Sequence, residues 1–117
     1  MKLAVVGCRE FVDFEKLSKI LDAEHAKTPI SVVVSGGAKG ADSMAEEWAK
    51  SRGLETLIFL PEWKKYGRAA AIARNRQIID SSEKCIAFWN DACRGTRSSI
   101  ELAKKKGIPV EIIQVCL

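Results

Sequence analysis

Short apolar segments alternate with amphipathic segments along the whole of this 117-residue chain. The apolar segments end at glycine, proline or a polar residue, which is typical of buried strands. Between them, apolar side chains recur every three or four residues, which predicts helices. Five strands and four helices in strict alternation predict an α/β fold of three layers, in which helices cover both faces of a five-stranded parallel sheet.

The boundaries follow from the same pattern. The predicted strands are 2–7, 30–37, 55–61, 84–89 and 109–115. The first predicted helix is 12–27, with Asp13 as its N-cap, and the second runs from Ala41 and ends at Gly53. The third and fourth predicted helices are 69–82 and 96–107. Neither a linker nor an internal repeat interrupts this order, so we expect one domain over 1–117.

Composition excludes several classes of protein. No apolar run approaches the ~20 residues that span a bilayer, and the apolar run of the N-terminus is too short for a signal peptide. The net charge of +4 and the pI near 9.0 permit an anionic partner, but the lysines and arginines are dispersed. We therefore expect a cytoplasmic protein that has no membrane partner, and we expect nucleic acid to be an unlikely partner.

The cysteines indicate neither a metal site nor a disulfide framework. They form no CxxC motif, and His25 is the only histidine. Scattered thiols on predicted core strands suit a reducing cytosol, so we expect no bound metal. The four cysteines are Cys8, Cys85, Cys93 and Cys116.

Candidate binding residues follow the first predicted strand. Ligands of open parallel sheets bind where loops leave the carboxyl ends of the strands, at the point where the strand order reverses. Gly7, Cys8 and Arg9 begin the first such loop. Glycine lets the backbone approach a ligand, and the Arg9 guanidinium suits phosphate or carboxylate. An arginine beside a tight turn explains this tripeptide alone slightly better.

The loop after the second strand, SGGAKGAD, leads into a helix. Backbone N–H groups that glycines expose at a helix N-terminus favour an anion. The loop matches neither GxxxxGK[ST] nor GxGxxG, so alone it fits a plain turn as well as a phosphate site. Asp42 would cap the helix or accept from a ligand hydroxyl. The candidates here are Ser35, Gly36, Gly37, Ala38, Gly40 and Asp42.

The segment PEWKKYGR follows the third strand and is the longest irregular piece. Trp63, with a nearby tyrosine and arginines, would stack on a nucleobase or ribose, or would pack into the core beside Pro61. Arg74 and Asn75 form a polar pair in an otherwise apolar helix, which suggests an inward-facing site.

The loop after the fourth strand brings Gly95, Thr96 and Arg97 to the start of the last helix. Thr96 would cap that helix, or these residues would bind phosphate oxygens. Two glycine-rich helix starts on one sheet edge, joined by Arg9 and Arg74, indicate a phosphorylated ligand.

Four motifs, in order over nearly the whole chain, resemble one family: GCREF.D, GGAKGAD..AEEWA...G, PEW.KYGRAA...RN and GTRSSIELA...GI.V. By them the chain is similar to the YspA, cpYpsA-related family of the SLOG superfamily, whose distant relatives include Lonely Guy phosphoribohydrolases, the molybdenum-cofactor carrier protein and DprA. The resemblance implies a Rossmann-like fold with sheet order 3-2-1-4-5 and a site for nucleotides, nucleotide sugars or ADP-ribose-like molecules. By this resemblance, the residues expected to form the site are Gly7, Arg9, 36–40, Asp42, Arg74, Asn75 and 95–97.

The chain departs from the family pattern at three places. Cys8 replaces a usual serine, and Ala71 stands where a glycine–proline pair is common. Lonely Guy enzymes carry a glutamate where this chain has Ser98 and Ser99. Glu101 lies two positions after Ser99, so its side chain is rotated about 200° around the helix axis from that of Ser99, at ~100° per residue. Glycosidic cleavage would therefore lack its evident acid/base residue.

These observations predict a sensor or carrier that binds a nucleotide, nucleotide-sugar or ADP-ribose-like ligand and uses no cofactor. One alternative is a hydrolase that cleaves an N-glycosidic or phosphoester bond of such a ligand. A second alternative is a nucleic-acid-binding protein, as DprA is a relative. A homodimer or higher homo-oligomer, formed through the helix around Ala69 to Ile79, is a further expectation.

Overall fold

The computed structural model of the protein describes residues 1–91 and 93–115, so the predicted thiol of Cys116 lies outside the described residues. Five parallel strands form one sheet in the order β3-β2-β1-β4-β5. This arrangement confirms the predicted fold class and strand order. The strands are β1 (Lys2–Gly7), β2 (Val32–Ser35), β3 (Glu55–Ile58), β4 (Lys84–Trp89) and β5 (Val110–Gln114).

Helices fill the connections between the strands. The predicted N-cap is confirmed, because the Asp13 carboxylate accepts a hydrogen bond from the backbone N–H of Lys16 at 3.1 Å. Among the described residues, no helix is long and apolar enough to traverse a bilayer. The helices are α1 (Phe14–Lys27), α2 (Ala41–Ser51), α3 (Trp63–Tyr66), α4 (Ala70–Asp80) and α5 (Arg94–Lys106), with a 3₁₀ turn at Gly67–Ala69.

Two helices differ from the prediction. The segment 61–68, predicted to be irregular, contains the short helix α3. Helix α5 begins at Arg94 with Cys93 as its N-cap, so Thr96 lies inside the first turn and does not cap the helix. The second difference brings Thr96 to the carboxyl edge of the sheet, where the site was expected.

Each face of the sheet buries its own apolar core. Side chains alternate along β1, so that Leu3 and Val5 face α1 and α2 whereas Ala4 and Val6 face α4 and α5. Trp48 is fully buried in the first core. These cores hold the strands rigidly and leave function to the loops at their carboxyl ends.

The strand order reverses between β1 and β4. The chain moves outward from β1 through β2 to β3, and then returns to place β4 against the other side of β1. The loops after β1 and β4 therefore diverge to opposite faces of the sheet. Such a divergence opens a crevice at the carboxyl ends of the two strands, where ligands of open α/β sheets bind.

Candidate functional site

A cleft of about 270 Å³ lies at this crevice, between the loops after β1, β2 and β4 and one face of α4. Of the residues predicted from sequence, the structure brings to its lining Gly7, Cys8, Arg9, Ala38, Asp42, Arg74, Asn75, Gly95 and Thr96. The cleft therefore gathers members of the predicted loops after β1, β2 and β4 together with the Arg74–Asn75 pair of α4, whereas Trp63 does not line it.

The glycines of the SGGAKGAD loop allow close approach of neighbouring chain. Gly40 has φ +79°, and a Cβ there would collide with the carbonyl oxygens of Cys8 and Arg9. A Cβ at Gly36 would lie 2.5 Å from a guanidinium nitrogen of Arg74. Gly36, Gly37 and Gly40 thus shape the loop but do not line the cleft.

Asp42 binds its own loop. Its carboxylate accepts a hydrogen bond from the backbone N–H of Gly36 at 2.9 Å. Burial raises the pKa of Asp42 to about 6, while the N–H groups of Gly36 and Ala38 and the charge of Arg74 oppose that rise. The helix cap predicted for this position falls instead to Gly40. The Asp42 carboxylate therefore accepts from the backbone N–H of Gly36, a group that was predicted to bind phosphate.

Arg74, on the α4 side of the cleft, is held in place by two hydrogen bonds. Its guanidinium donates to the carbonyl oxygen of Gly36 at 2.8 Å and to the side-chain oxygen of Asn75 at 3.1 Å. Burial lowers the pKa of Arg74 from its usual value, Asp42 raises it, and Arg9 lowers it. An arginine stays protonated despite such shifts. Arg74 and Arg9 therefore present two like charges to the cleft.

The first turn of α5 supplies backbone donors. Gly95 and Thr96 line the cleft, and among the described residues no side chain caps this helix. Uncapped N–H groups together with the helix macrodipole favour an anion at this end. Ser99, one turn after Thr96, also lines the cleft and is 1% exposed. The i, i+3 spacing of Thr96 and Ser99 places both hydroxyls on one face of the helix, and this sequence signal could have identified Ser99 as a site residue.

Besides the glycines of the SGGAKGAD loop, three further predicted site residues lie away from the cleft. The Ser35 hydroxyl donates to Glu46 of α2 at 2.6 Å. Arg97 is exposed and forms an ion pair with Glu101 at 3.5 Å. Trp63 is 58% exposed on α3, so the alternative that it packs into the core beside Pro61 is wrong.

The expectation of scattered free thiols is wrong for two cysteines. Cys8 and Cys93 form a disulfide across the cleft wall, with 5.5 Å between their Cα atoms and a separation of 85 positions in sequence. Cys85 is buried and free. The bond joins the loop after β1 to the start of α5, so it holds Arg9 and the α5 donors in one wall. A separation of this length carries no local sequence signal.

Reduction of this disulfide is expected to lower the free energy of unfolding by about 4 kcal/mol, because it frees a long loop in the unfolded chain. Urea unfolding with and without a thiol reductant measures the difference. The double variant Cys8→Ala/Cys93→Ala should not respond to the reductant. An equal midpoint for the wild-type protein in both conditions would contradict the expectation.

Two solved structures resemble the fold over almost the whole chain. DNA processing protein A (DprA) from Streptococcus pneumoniae matches with a TM-score of 0.79 and 23% identity over 99% of this chain. DprA from Helicobacter pylori, in a structure described by its single-stranded DNA binding mode, matches with a TM-score of 0.77 and 25% identity over 100% of this chain. This chain spans 51% and 66% of those two chains.

These neighbours correct two predictions made from sequence. A sensor or carrier of a nucleotide-derived small molecule was the main functional prediction, and nucleic acid was the unlikely partner. Both are wrong, because the solved neighbour whose ligand is stated binds single-stranded DNA. The prediction about nucleic acid relied on the dispersal of the lysines and arginines along the sequence, which carries no information on the charge that the fold gathers at one cleft.

Comparison by sequence settles the family. The model of the YspA, cpYpsA-related SLOG family matches residues 1–66, which is more than half of the chain. The "Gene 61 protein" of Mycobacterium phage D29 is 33% identical over 116 residues, which cover 93% of each chain. The chain therefore belongs to the YspA, cpYpsA-related SLOG family, as the four motifs predicted.

Proposed function

We propose that this protein binds single-stranded DNA, with one nucleotide unit of the strand in the cleft between β1 and β4. The observation that carries the proposal is the pair of arginines at this cleft, Arg9 and Arg74, which line it together with the start of α5, where no described side chain caps the helix. Phosphate is the group that such a combination of guanidinium and helix N–H donors suits. The DNA-binding neighbour of 25% identity supports the choice of polymer.

The shape of the cleft supports a single strand over a duplex. A cavity of about 270 Å³ accommodates one nucleotide unit. A duplex would have to unstack and unpair a base to place it there, at a cost of a few kcal/mol. A single strand has its bases free and therefore meets a smaller penalty. We expect tighter binding of single-stranded DNA than of a duplex of the same sequence.

Removal of the Arg74 guanidinium is expected to weaken single-stranded DNA binding about 30-fold, which corresponds to about 2 kcal/mol for a charge-assisted contact. Fluorescence anisotropy of a labelled oligothymidylate with wild-type protein and Arg74→Ala measures the effect. Arg76→Ala is the matched control, because Arg76 lies on the same helix, is exposed and does not line the cleft.

The fold must survive for this comparison to count. Arg74 donates to Gly36, so its loss leaves one carbonyl oxygen without that donor, and a moderate fall in melting temperature is expected. Circular dichroism checks that the variant is folded at the temperature of the titration. Equal affinities for folded Arg74→Ala and Arg76→Ala would contradict a role of this cleft in binding.

A further inference from the structure

We propose that α3 extends the binding site, and that bases of a single strand stack on Trp63 while Lys64, Lys65 and Arg68 contact its phosphates. The inference rests on the proposed function, because it concerns the path of the same strand beyond the cleft. Neither α3 nor any of these four residues lines the cleft. The surface formed by these residues together with Tyr66 is called the α3 surface below.

The aromatic side chains of α3 are unusually exposed. Trp63 is 58% exposed and Tyr66 is 40% exposed, whereas Trp48 is fully buried. The two residues are three positions apart on a helix, which places their side chains on one side. Large aromatic side chains normally bury most of their surface. The exposure of Trp63 leaves its ring available to a partner.

The charge of the α3 surface indicates a polyanion. Lys64, Lys65 and Arg68 are exposed and interleave with the aromatic residues. The Lys65 ammonium lies 5.2 Å from the centre of the Tyr66 ring, so one cation already sits beside an aromatic face. Basic residues that track a backbone, combined with aromatic platforms for bases, are the means by which proteins hold single strands without sequence preference.

The same charge disfavours a second copy of this chain as the occupant. An isologous dimer through this surface would bring the lysines of both copies together. Apolar neighbours are present, since Leu60 is 63% exposed and Ile72 is 52% exposed. They widen the apolar area around Trp63, and the exposed carboxylate of Glu62 at the N-cap of α3 offsets only one of the three cations. Strand binding satisfies both features, whereas self-association satisfies only the apolar one.

The α3 surface is joined to the cleft by a short length of chain. Helix α3 passes through the 3₁₀ turn Gly67–Ala69 directly into α4, whose residues Ala71 and Arg74 line the cleft. Leu60, just before α3, packs against the loop at Gly37, where an added Cβ would lie 2.7 Å from its side chain. A strand with one nucleotide in the cleft therefore meets α3 within its next few nucleotides.

The test uses fluorescence anisotropy with three labelled ligands: an oligothymidylate of about eight nucleotides, one of about two nucleotides, and an abasic strand of about eight units. Trp63→Ala is expected to bind the long oligothymidylate about tenfold more weakly than the wild-type protein does. The short and the abasic ligands should bind both proteins equally. Trp63→Phe, which keeps an aromatic ring, should retain most of the affinity.

The control variant is Ile112→Ala, since Ile112 is 37% exposed on β5 at the opposite edge of the sheet. Its affinity for every ligand should equal that of the wild-type protein. Trp63 also gives a direct signal, because stacking of a base should quench its fluorescence. The quench should be absent in Trp63→Ala.

Each outcome separates the two proposals. If the wild-type protein binds none of the ligands, the proposed function fails and this inference falls with it. If binding depends on Arg74 but Trp63→Ala equals the wild-type protein on the long strand, this inference alone is overturned. Sedimentation that shows a wild-type dimer and a Trp63→Ala monomer of unchanged affinity would reassign the α3 surface to self-association.

Discussion

Asp42→Asn is expected to be more stable than the wild-type protein by about 3 kcal/mol near pH 7.5, because the variant buries no charge at this position. Burial raises the pKa of Asp42 from its ordinary 3.8 to about 6. The folded protein therefore holds this proton more tightly than the unfolded chain does. The stability that protonation provides is complete below about pH 4 and is lost as the pH rises through about 6.

Urea unfolding of both proteins between about pH 4 and pH 8 measures this prediction. The advantage of Asp42→Asn should be small at the acid end and should grow as the pH passes about 6. Asp80→Asn is the control, because Asp80 is exposed at the end of α4. A stability difference that does not change with pH would contradict this account of Asp42.

The same substitution should tighten single-stranded DNA binding about tenfold near pH 7.5, because it removes a negative charge from the cleft wall. Arg74 and Glu46 are the charged groups that act on Asp42, with opposite effects on its pKa. The affinity of the wild-type protein should rise as the pH falls through about 6, and that of Asp42→Asn should lack this rise. Weaker binding by Asp42→Asn would show that the carboxylate assists the ligand.

Gly40→Ala is expected to destabilise the fold by about 4 kcal/mol, by adding backbone strain and a collision in a packed loop. Gly40 has φ +79° and ψ −127°, a conformation that side chains other than glycine rarely adopt. A Cβ there would also collide with the carbonyl oxygens of Cys8 and Arg9. The collision moves Arg9, so DNA affinity should fall together with stability.

Gly53→Ala separates the two causes. Gly53 has φ +69°, but a Cβ there would meet no atom of the described residues within 4 Å. Strain alone should therefore lower the free energy of unfolding by only about 1 kcal/mol. Chemical unfolding of both variants measures the difference. Equal losses would contradict the close approach of the two loops at Gly40.

Strands β1 and β4 could be predicted from sequence to the residue, whereas β2, predicted as 30–37, spans only Val32–Ser35. β1 and β4 pair on both sides and their inner residues are buried, so the apolar run matches the strand. β3 ends at Ile58, although the apolar run continues to Leu60. As an edge strand it pairs only with β2, so pattern alone could not locate its end.

The start of α5 was predicted too late because Gly95 suggested a turn. Gly95 lies in the first turn of the helix, is exposed, and a Cβ there would meet no described atom within 4 Å. Helix propensity matters little in a first turn, whose N–H groups have no intrahelical partner in any case. The position of Thr96 in the cleft wall follows from this earlier start.

The internal contacts of the cleft could not be predicted, because they join segments distant in sequence. Arg74 reaches Gly36 across 38 residues, and the disulfide joins Cys8 to Cys93 across 85. The type of ligand was mispredicted for a related reason. A pair of arginines and a helix N-terminus suit a phosphate group equally well, whether it belongs to a free nucleotide or to a DNA strand. In the account proposed above, the α3 surface distinguishes the two, and its position relative to the cleft is visible only in the fold.

The most direct measurement is the affinity of the wild-type protein for a labelled oligothymidylate at several salt concentrations. Each phosphate contact to a single strand contributes about −0.7 to the slope of log K against log salt. Contacts by Arg9 and Arg74 with one or two phosphates predict a slope of about −1, and the α3 lysines would make it steeper. No binding at low salt, or binding that does not change with salt, would contradict a strand held by its phosphates.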